Sequence, residues 1–172
     1  MNKTKDEEYS DNRVNVLGVG ISPINLDIAE ELIFEAIELG EQGYIGVTGV
    51  HGVSEAQSDP KFKDILNNTF LNTPDGMPMV WYARLNGYKK VSRVYGPDLM
   101  LNICSRSNEC DVKHFFYGGR EGVVEKLKSN LEEKFPGMQV VGTYTPPFRP
   151  LTNDEEIEVR NKINDSGAHC IW

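Results

Sequence analysis

Apolar residues along this chain alternate between short β-branched runs and longer stretches at helical spacing. Val14-Asn15-Val16-Leu17-Gly18-Val19-Gly20-Ile21-Ser22 is β-branched and ends in turn residues, which predicts a strand. Ile28, Ala29, Leu32, Ile33, Ala36 and Ile37 then recur at helical spacing, with Gly40 and Gly43 closing the segment. A second strand is expected over Tyr44 to Val50, and Pro60 suits the first turn of a helix reaching about Asn68. After another apolar run come Pro74-Asp75-Gly76 and an amphipathic helix lined by Met79, Val80, Ala83 and Leu85, ended by Gly87. Gly96-Pro97-Asp98 opens a helix toward Cys104. Val112 to Tyr117 reads as a buried strand entering a glycine-rich turn, with Val123, Val124, Leu127 and Leu131 on the next helix. Met138 to Tyr144 is a further strand. Thr152 with Glu155 makes a capping box for a helix to about Asp165, and Ala168 to Trp172 begins a last strand.

Strands alternating with helices through nearly the whole chain predict a three-layer, Rossmann-like α/β fold with a largely parallel sheet. The 172 residues suit one domain with one core, and 39% hydrophobic content with 16 glycines fits a globular protein rich in tight turns. No run approaches the roughly 20 apolar residues that span a bilayer, and Met1 to Asn12 is polar and charged without a signal-peptide core. The expectation is a cytoplasmic protein. A net charge of −8 argues against a sequence-independent nucleic-acid binder, which needs a cationic face. Lys89, Lys90 and Arg93 form a local basic cluster, the usual meaning of which is a solvated face. Cys104, Cys110 and Cys170 show no C-x-x-C spacing, and His51, His114 and His169 lie far apart, so neither disulfide framework nor metal site is indicated.

In α/β folds the turns at the carboxyl ends of the strands bind ligands. Asp75 stands on such a turn between a proline and a glycine, which suits either an outward-facing functional carboxylate or a plain helix N-cap. Thr48 and His51 fall at another strand end, where a hydroxyl and an imidazole either meet a ligand or do nothing chemical. Arg93 pairs with Asp75 or with Asp98, and Asp98 by itself also favours the positive end of a helix. Gly118-Gly119 either uncovers backbone amides for phosphate or forms an ordinary turn. Gly18-x-Gly20 lacks the third glycine of a dinucleotide fingerprint and reads as a tight turn, so an unrelated cofactor-binding α/β protein has no motif to rest on.

These blocks together resemble the WecG/TagA/CpsF family of bacterial glycosyltransferases from about Val14 to Trp172. The resemblance is carried by Thr48-x-x-His51 with Glu55-Ala56, Pro74-Asp75-Gly76-Met77, Arg93-Val94-x-Gly96-x-Asp98-Leu99-Met100, Phe116-Tyr117-Gly118-Gly119 and Gly142-Thr143-Tyr144. It implies an inverting transfer of an N-acetylmannosamine-type sugar from a UDP-sugar to a polyprenyl-diphosphate-linked N-acetylglucosamine, in cell-envelope polysaccharide or teichoic-acid synthesis, with no metal or other cofactor. By the motifs, Asp75 matches the general base, Thr48 and Arg93 the other catalytic positions, and His51, Asp98, Gly118, Gly119 and Tyr144 substrate-binding positions. Val50 departs from an asparagine common in the family, which implies a different sugar contact.

Family members also continue into a Gly-x-x-x-Pro-Lys-Gln-Glu segment and a membrane-targeting tail. The expected organisation is therefore a flexible leader over residues 1–12 and a glycosyltransferase domain over 13–172 that lacks this C-terminal segment. On that reading membrane contact, at the inner face of the cell membrane, comes only through the missing part, and self-association through an exposed strand edge is expected. The competing reading is a non-catalytic nucleotide-sugar-binding or assembly module.

Overall fold

The computed structural model describes residues 12–172, so the leader expected over residues 1–12 lies, apart from Asn12, outside the described residues. Among these, seven strands and seven helices alternate, and every strand pairing after the first hairpin is parallel. This is the Rossmann-like α/β class expected from the alternation. The chain divides into two compact units, one ending at Leu99 and one beginning at Met100.

The first unit opens with a correction. The strand expected from Val14 to Ser22 is a hairpin of β1 (Val14–Val16) and β2 (Val19–Ile21), with Val16 opposite Val19. Leu17 (φ 53°) and Gly18 (φ 85°) both sit in the left-handed region, as a two-residue type I′ loop requires, and Asn15 Oδ1 accepts from the Gly18 N–H at 2.8 Å. The tight turn expected at Gly18 is therefore present, but it reverses the chain.

Helix α1 (Leu26–Leu39) is capped by Asn25, whose side chain accepts from the Ile28 N–H at 2.9 Å, and is closed by Gly40 in the left-handed conformation. Strand β3 (Ile45–Thr48) pairs in parallel with β4 (Leu71–Pro74), from Ile45 opposite Leu71 to Thr48 opposite Pro74. Every residue of β4 is buried. Ser22, just past β2, donates its N–H to Asn72 O at 2.8 Å and accepts from the Asn72 N–H on Oγ at 3.0 Å, which fixes the hairpin against β4.

Between β3 and β4 lie α2 (Val50–Glu55) and α3 (Pro60–Asn67); the latter has Pro60 in its first turn as expected. Helix α4 (Met77–Leu85) sends Met79 into a cluster with Val19, Ile21, Val53, Ala56 and Leu66, and Val80 and Ala83 into another with Val14 and Val91. Leu85, expected on the buried face, is 85% exposed. Helix α5 (Gly96–Arg106) begins in this unit and contains its boundary.

In the second unit β5 (Lys113–Tyr117) is central, with β6 (Gln139–Tyr144) and β7 (Cys170–Ile171) parallel on either side. Helix α6 (Val123–Lys134) contributes Val124 and Leu131 to a core with Cys104, Phe116 and Met138. Helix α7 (Asn153–Asp165) carries the expected capping box: Glu155 Oε2 accepts from the Thr152 N–H at 2.8 Å and Thr152 Oγ1 from the Glu155 N–H at 3.3 Å. A bidentate bond from Arg149 holds the Glu155 carboxyl down at about 2.

Candidate active site

Two parallel strands and one extended segment bring the first group of residues together. The Asp75 N–H donates to Thr48 O at 3.0 Å, and the Val94 N–H donates to Pro74 O at 3.0 Å, so the ends of β3 and β4 and the stretch before α5 are tied by backbone. Gly49 makes the close approach feasible. A Cβ there would lie 2.6 Å from the Asp75 carbonyl oxygen, a separation no side chain tolerates without displacing backbone.

The turn after β4 uses glycine at the helix cap and leaves the acid for other work. Gly76 (φ 128°) is the N-cap of α4 and no side chain caps the helix, so the N-cap reading of Asp75 is corrected. The two partners open to Arg93 resolve to Asp75. Its Nε and Nη2 both donate to Asp75 Oδ1, at 3.1 and 2.9 Å, and Oδ2 takes no part in that pair. The guanidinium carbon also lies 4.5 Å from the centre of the Tyr95 ring. With side-chain exposures of 48% for Arg93 and 27% for Asp75, the ion pair contributes on the order of 1 kcal/mol or less to stability. Its effect is to orient the carboxylate.

Thr48 is buried beside this pair along the sheet. His51, expected at a strand end, stands in the first turn of α2 with its side chain 95% exposed and Nε2 3.6 Å from Glu55 Oε2. Asp98 is exposed in the first turn of α5. Within the first unit the strand ends thus gather Thr48, Asp75 and Arg93, while His51 and Asp98 stand on flanking helices. Tyr95 and Gly49 belong to the same group and were not foreseen. An aromatic two positions after the arginine in an extended stretch was the available signal for Tyr95.

In the second unit Gly118, Gly119 and Tyr144 form one neighbourhood. Gly118 (φ 125°) and Gly119 (φ 75°) follow β5, and the Gly118 N–H donates to Tyr144 O at 2.9 Å. Tyr144 stacks on Tyr117, ring centres 5.8 Å apart and 11° from parallel, with Lys162 Nζ 5.5 Å from its centre. Tyr117 was missed as a partner because the β5 run reads as uniformly apolar up to the glycines. Helix α6 starts after a third left-handed glycine, Gly122, and no side chain caps it.

In the same unit a polar side-chain relay links the residue after β7 to β5. Trp172 Nε1–H donates to His114 Nδ1 at 3.0 Å, so Nε2 bears the imidazole proton and donates to Ser107 Oγ at 2.8 Å. That hydroxyl in turn donates to the Ile103 and Cys104 carbonyls. Burial, helped by His169, pushes the His114 imidazole down to about 4. Burial also raises the thiols of Cys104 to about 12 and Cys170 to about 11, leaving both as inert packing groups. Among the described residues no three His, Cys, Asp or Glu side chains converge to hold a metal ion, and no helix is long and apolar enough to cross a membrane.

Comparison with known proteins adds the following. A sequence profile described as the Glycosyl transferase WecG/TagA/CpsF family matches residues 14–172. The chain is 27% identical over 118 residues to an N-acetylglucosaminyldiphosphoundecaprenol N-acetyl-beta-D-mannosaminyltransferase of Bacillus spizizenii, a match covering 69% of this chain and 44% of that protein. A protein of the same name from Bacillus subtilis is 25% identical over 87 residues, or 51% of this chain and 34% of its own length. The matched region is thus less than half the length of either relative.

Proposed function

The chain belongs to the WecG/TagA/CpsF family of glycosyl transferases, and on that premise we propose that it carries out an inverting sugar transfer with Asp75 as the base. The donor is a UDP-linked N-acetylmannosamine-type sugar. The acceptor is a polyprenyl-diphosphate-linked N-acetylglucosamine, the class named for the two Bacillus relatives. No metal is required.

The observation that carries this reading is the one-sided pair of Asp75 with Arg93. Because both guanidinium donors fall on Oδ1, Oδ2 is left to accept the proton of an incoming sugar hydroxyl. The hydroxyl oxygen attacks the anomeric carbon as its proton passes to Asp75, and the bond to the UDP oxygen breaks on the opposite face, giving inversion. Base assistance of this kind supplies about 10²–10⁴-fold in rate. The departing diphosphate needs cations or backbone amides, which act best when preset where charge develops. Within the second unit the glycine turn at Gly118-Gly119 offers backbone amides of that kind, and within the first Arg93 holds the Asp75 carboxylate in place. Thr48 orients the acceptor side; His51 and Asp98 are substrate contacts of the first unit, and Tyr144 is one of the second.

A transfer assay with UDP-N-acetylmannosamine and a lipid-linked N-acetylglucosamine acceptor, run beside calorimetry with UDP, tests the proposal. Transfer that Asp75→Asn abolishes while UDP still binds supports it. Binding of UDP with no transfer by the wild-type chain favours a nucleotide-sugar-binding module instead, and unchanged transfer by Asp75→Asn removes the carboxylate from its role.

A further inference from the structure

Helix α4 is apolar on the side that faces solvent as well as on the side that faces the core. At 100° per residue, Met79, Val80 and Ala83 span the buried arc, and Met77, Pro78, Trp81, Tyr82 and Leu85 fill the opposite one. Met77 is 41% exposed and Trp81 57%, and Leu85 stands out furthest. Apolar residues scattered singly over a surface need no explanation. A helix with apolar residues on both its inner and outer arcs, however, is ordinarily covered on both sides.

Charge says what covers this one. In a chain of net charge −8, residues 76–97 contain no aspartate or glutamate, yet they hold Arg84, Lys89, Lys90 and Arg93. Arg93 is engaged by Asp75. Arg84 is exposed at the end of α4 and donates only to the neutral Val91 carbonyl, at 3.0 and 3.2 Å, so its charge is not cancelled there. Lys89 and Lys90 are exposed just beyond the helix. An outward face of Trp, Tyr, Leu and Met bordered by cations is the composition that lies in a lipid interface, its rings at headgroup depth and its cations on acidic headgroups.

We propose that the outer face of α4, with Arg84, Lys89 and Lys90, is a docking surface for an anionic bilayer. The helix starts two residues after Asp75, so docking sets the reactive carboxylate beside the membrane surface. That purpose rests on the transferase reading, because a polyprenyl-borne acceptor is presented there. It is a route of membrane contact separate from the C-terminal segment that the family resemblance implies.

The test is co-sedimentation of the full chain with phosphatidylcholine vesicles with and without phosphatidylglycerol, at low and raised salt. The wild type should sediment with the phosphatidylglycerol vesicles, less so as salt rises, with its tryptophan emission shifted to the blue. Trp81→Ser/Leu85→Ser should lose sedimentation at unchanged Tm. Lys89→Glu/Lys90→Glu should lower the partition coefficient by at least about fivefold per cation. Trp81→Phe, which keeps the apolar face, should remove the blue shift and still sediment.

Failure of the wild type to bind the anionic vesicles, or binding unaffected by these variants, overturns the proposal. So does a concentration-dependent oligomer that Trp81→Ser/Leu85→Ser dissolves, since that gives the face to a second copy. Vesicle binding needs no turnover, and Asp75→Asn should sediment as the wild type does. Loss of the docking surface and loss of the transferase reading are therefore separate results.

Discussion

After β4 the chain turns through Asp75 and Gly76; after β5 it turns through Gly118 and Gly119. Both turns follow parallel strands and lead on to a helix that no side chain caps. The first offers a charged side chain fixed by a partner eighteen residues away. The second offers bare backbone in conformations that only glycine adopts freely, next to two stacked tyrosines. On the proposed mechanism the difference is between a site that moves a proton and one that holds charge or a flat ring without moving anything. Changes at the two turns should therefore fail in different ways.

The largest effect is expected at the first turn. Asp75→Asn keeps the shape and the hydrogen bond to Arg93 but removes the proposed base, so kcat should fall about 10²–10⁴-fold with Tm unchanged by circular dichroism. A stability loss matching the activity loss would make the acid structural, and the contrast between the turns would go with it.

The second unit should show its own signature in acid. His114 is held neutral in the folded chain down to about pH 4, whereas in the unfolded chain it takes a proton near its ordinary value of 6.5. The stability this gives is complete above pH 6.5 and is lost as pH falls toward 4, at up to about 1.4 kcal/mol per pH unit. Urea midpoints measured through that window should fall for the wild type and flatten for His114→Gln. An equal slope in both would move the effect to another group.

Gly119→Ala should cost about 1–2 kcal/mol, because an L-residue is strained at φ 75° and its Cβ would lie 3.4 Å from Val123. It should weaken UDP binding in calorimetry, whereas Asp75→Asn should not. The smallest effect is Thr152→Ala, which removes one half of the capping box for about 1 kcal/mol and should leave binding and turnover untouched. If it altered either, the loop before α7 would have to be counted with the second turn.

Helical periodicity and local punctuation made much of this fold legible. Pro60 and Thr152 with Glu155 mark helix starts that sit where expected. Periodicity failed where two elements shared one rhythm. Val14, Val16, Val19 and Ile21 keep an apolar pattern through the Leu17-Gly18 reversal, so a hairpin read as one strand. Helix α2 has no side-chain cap and carries Gly52 inside it, which hid it, so that Val50 read as strand and His51 as a strand end. Leu85 lies on the outward side of α4 because the buried arc is already filled by Met79, Val80 and Ala83. At the site, proline and glycine around Asp75 made the turn visible, but the choice of partner for Arg93 depends on tertiary contact that spacing does not encode.

Gly49 has a consequence for anyone who wants to retune this protein. The missing methyl group there acts as a spacer of zero thickness between the start of α2 and the peptide of Asp75. Restoring that methyl, as in Gly49→Ala, inserts a shim behind the acid and shifts its backbone without touching carboxylate, guanidinium or substrate. On the proposed mechanism the distance from base to sugar thereby becomes an adjustable quantity, set from the far side of the strand end.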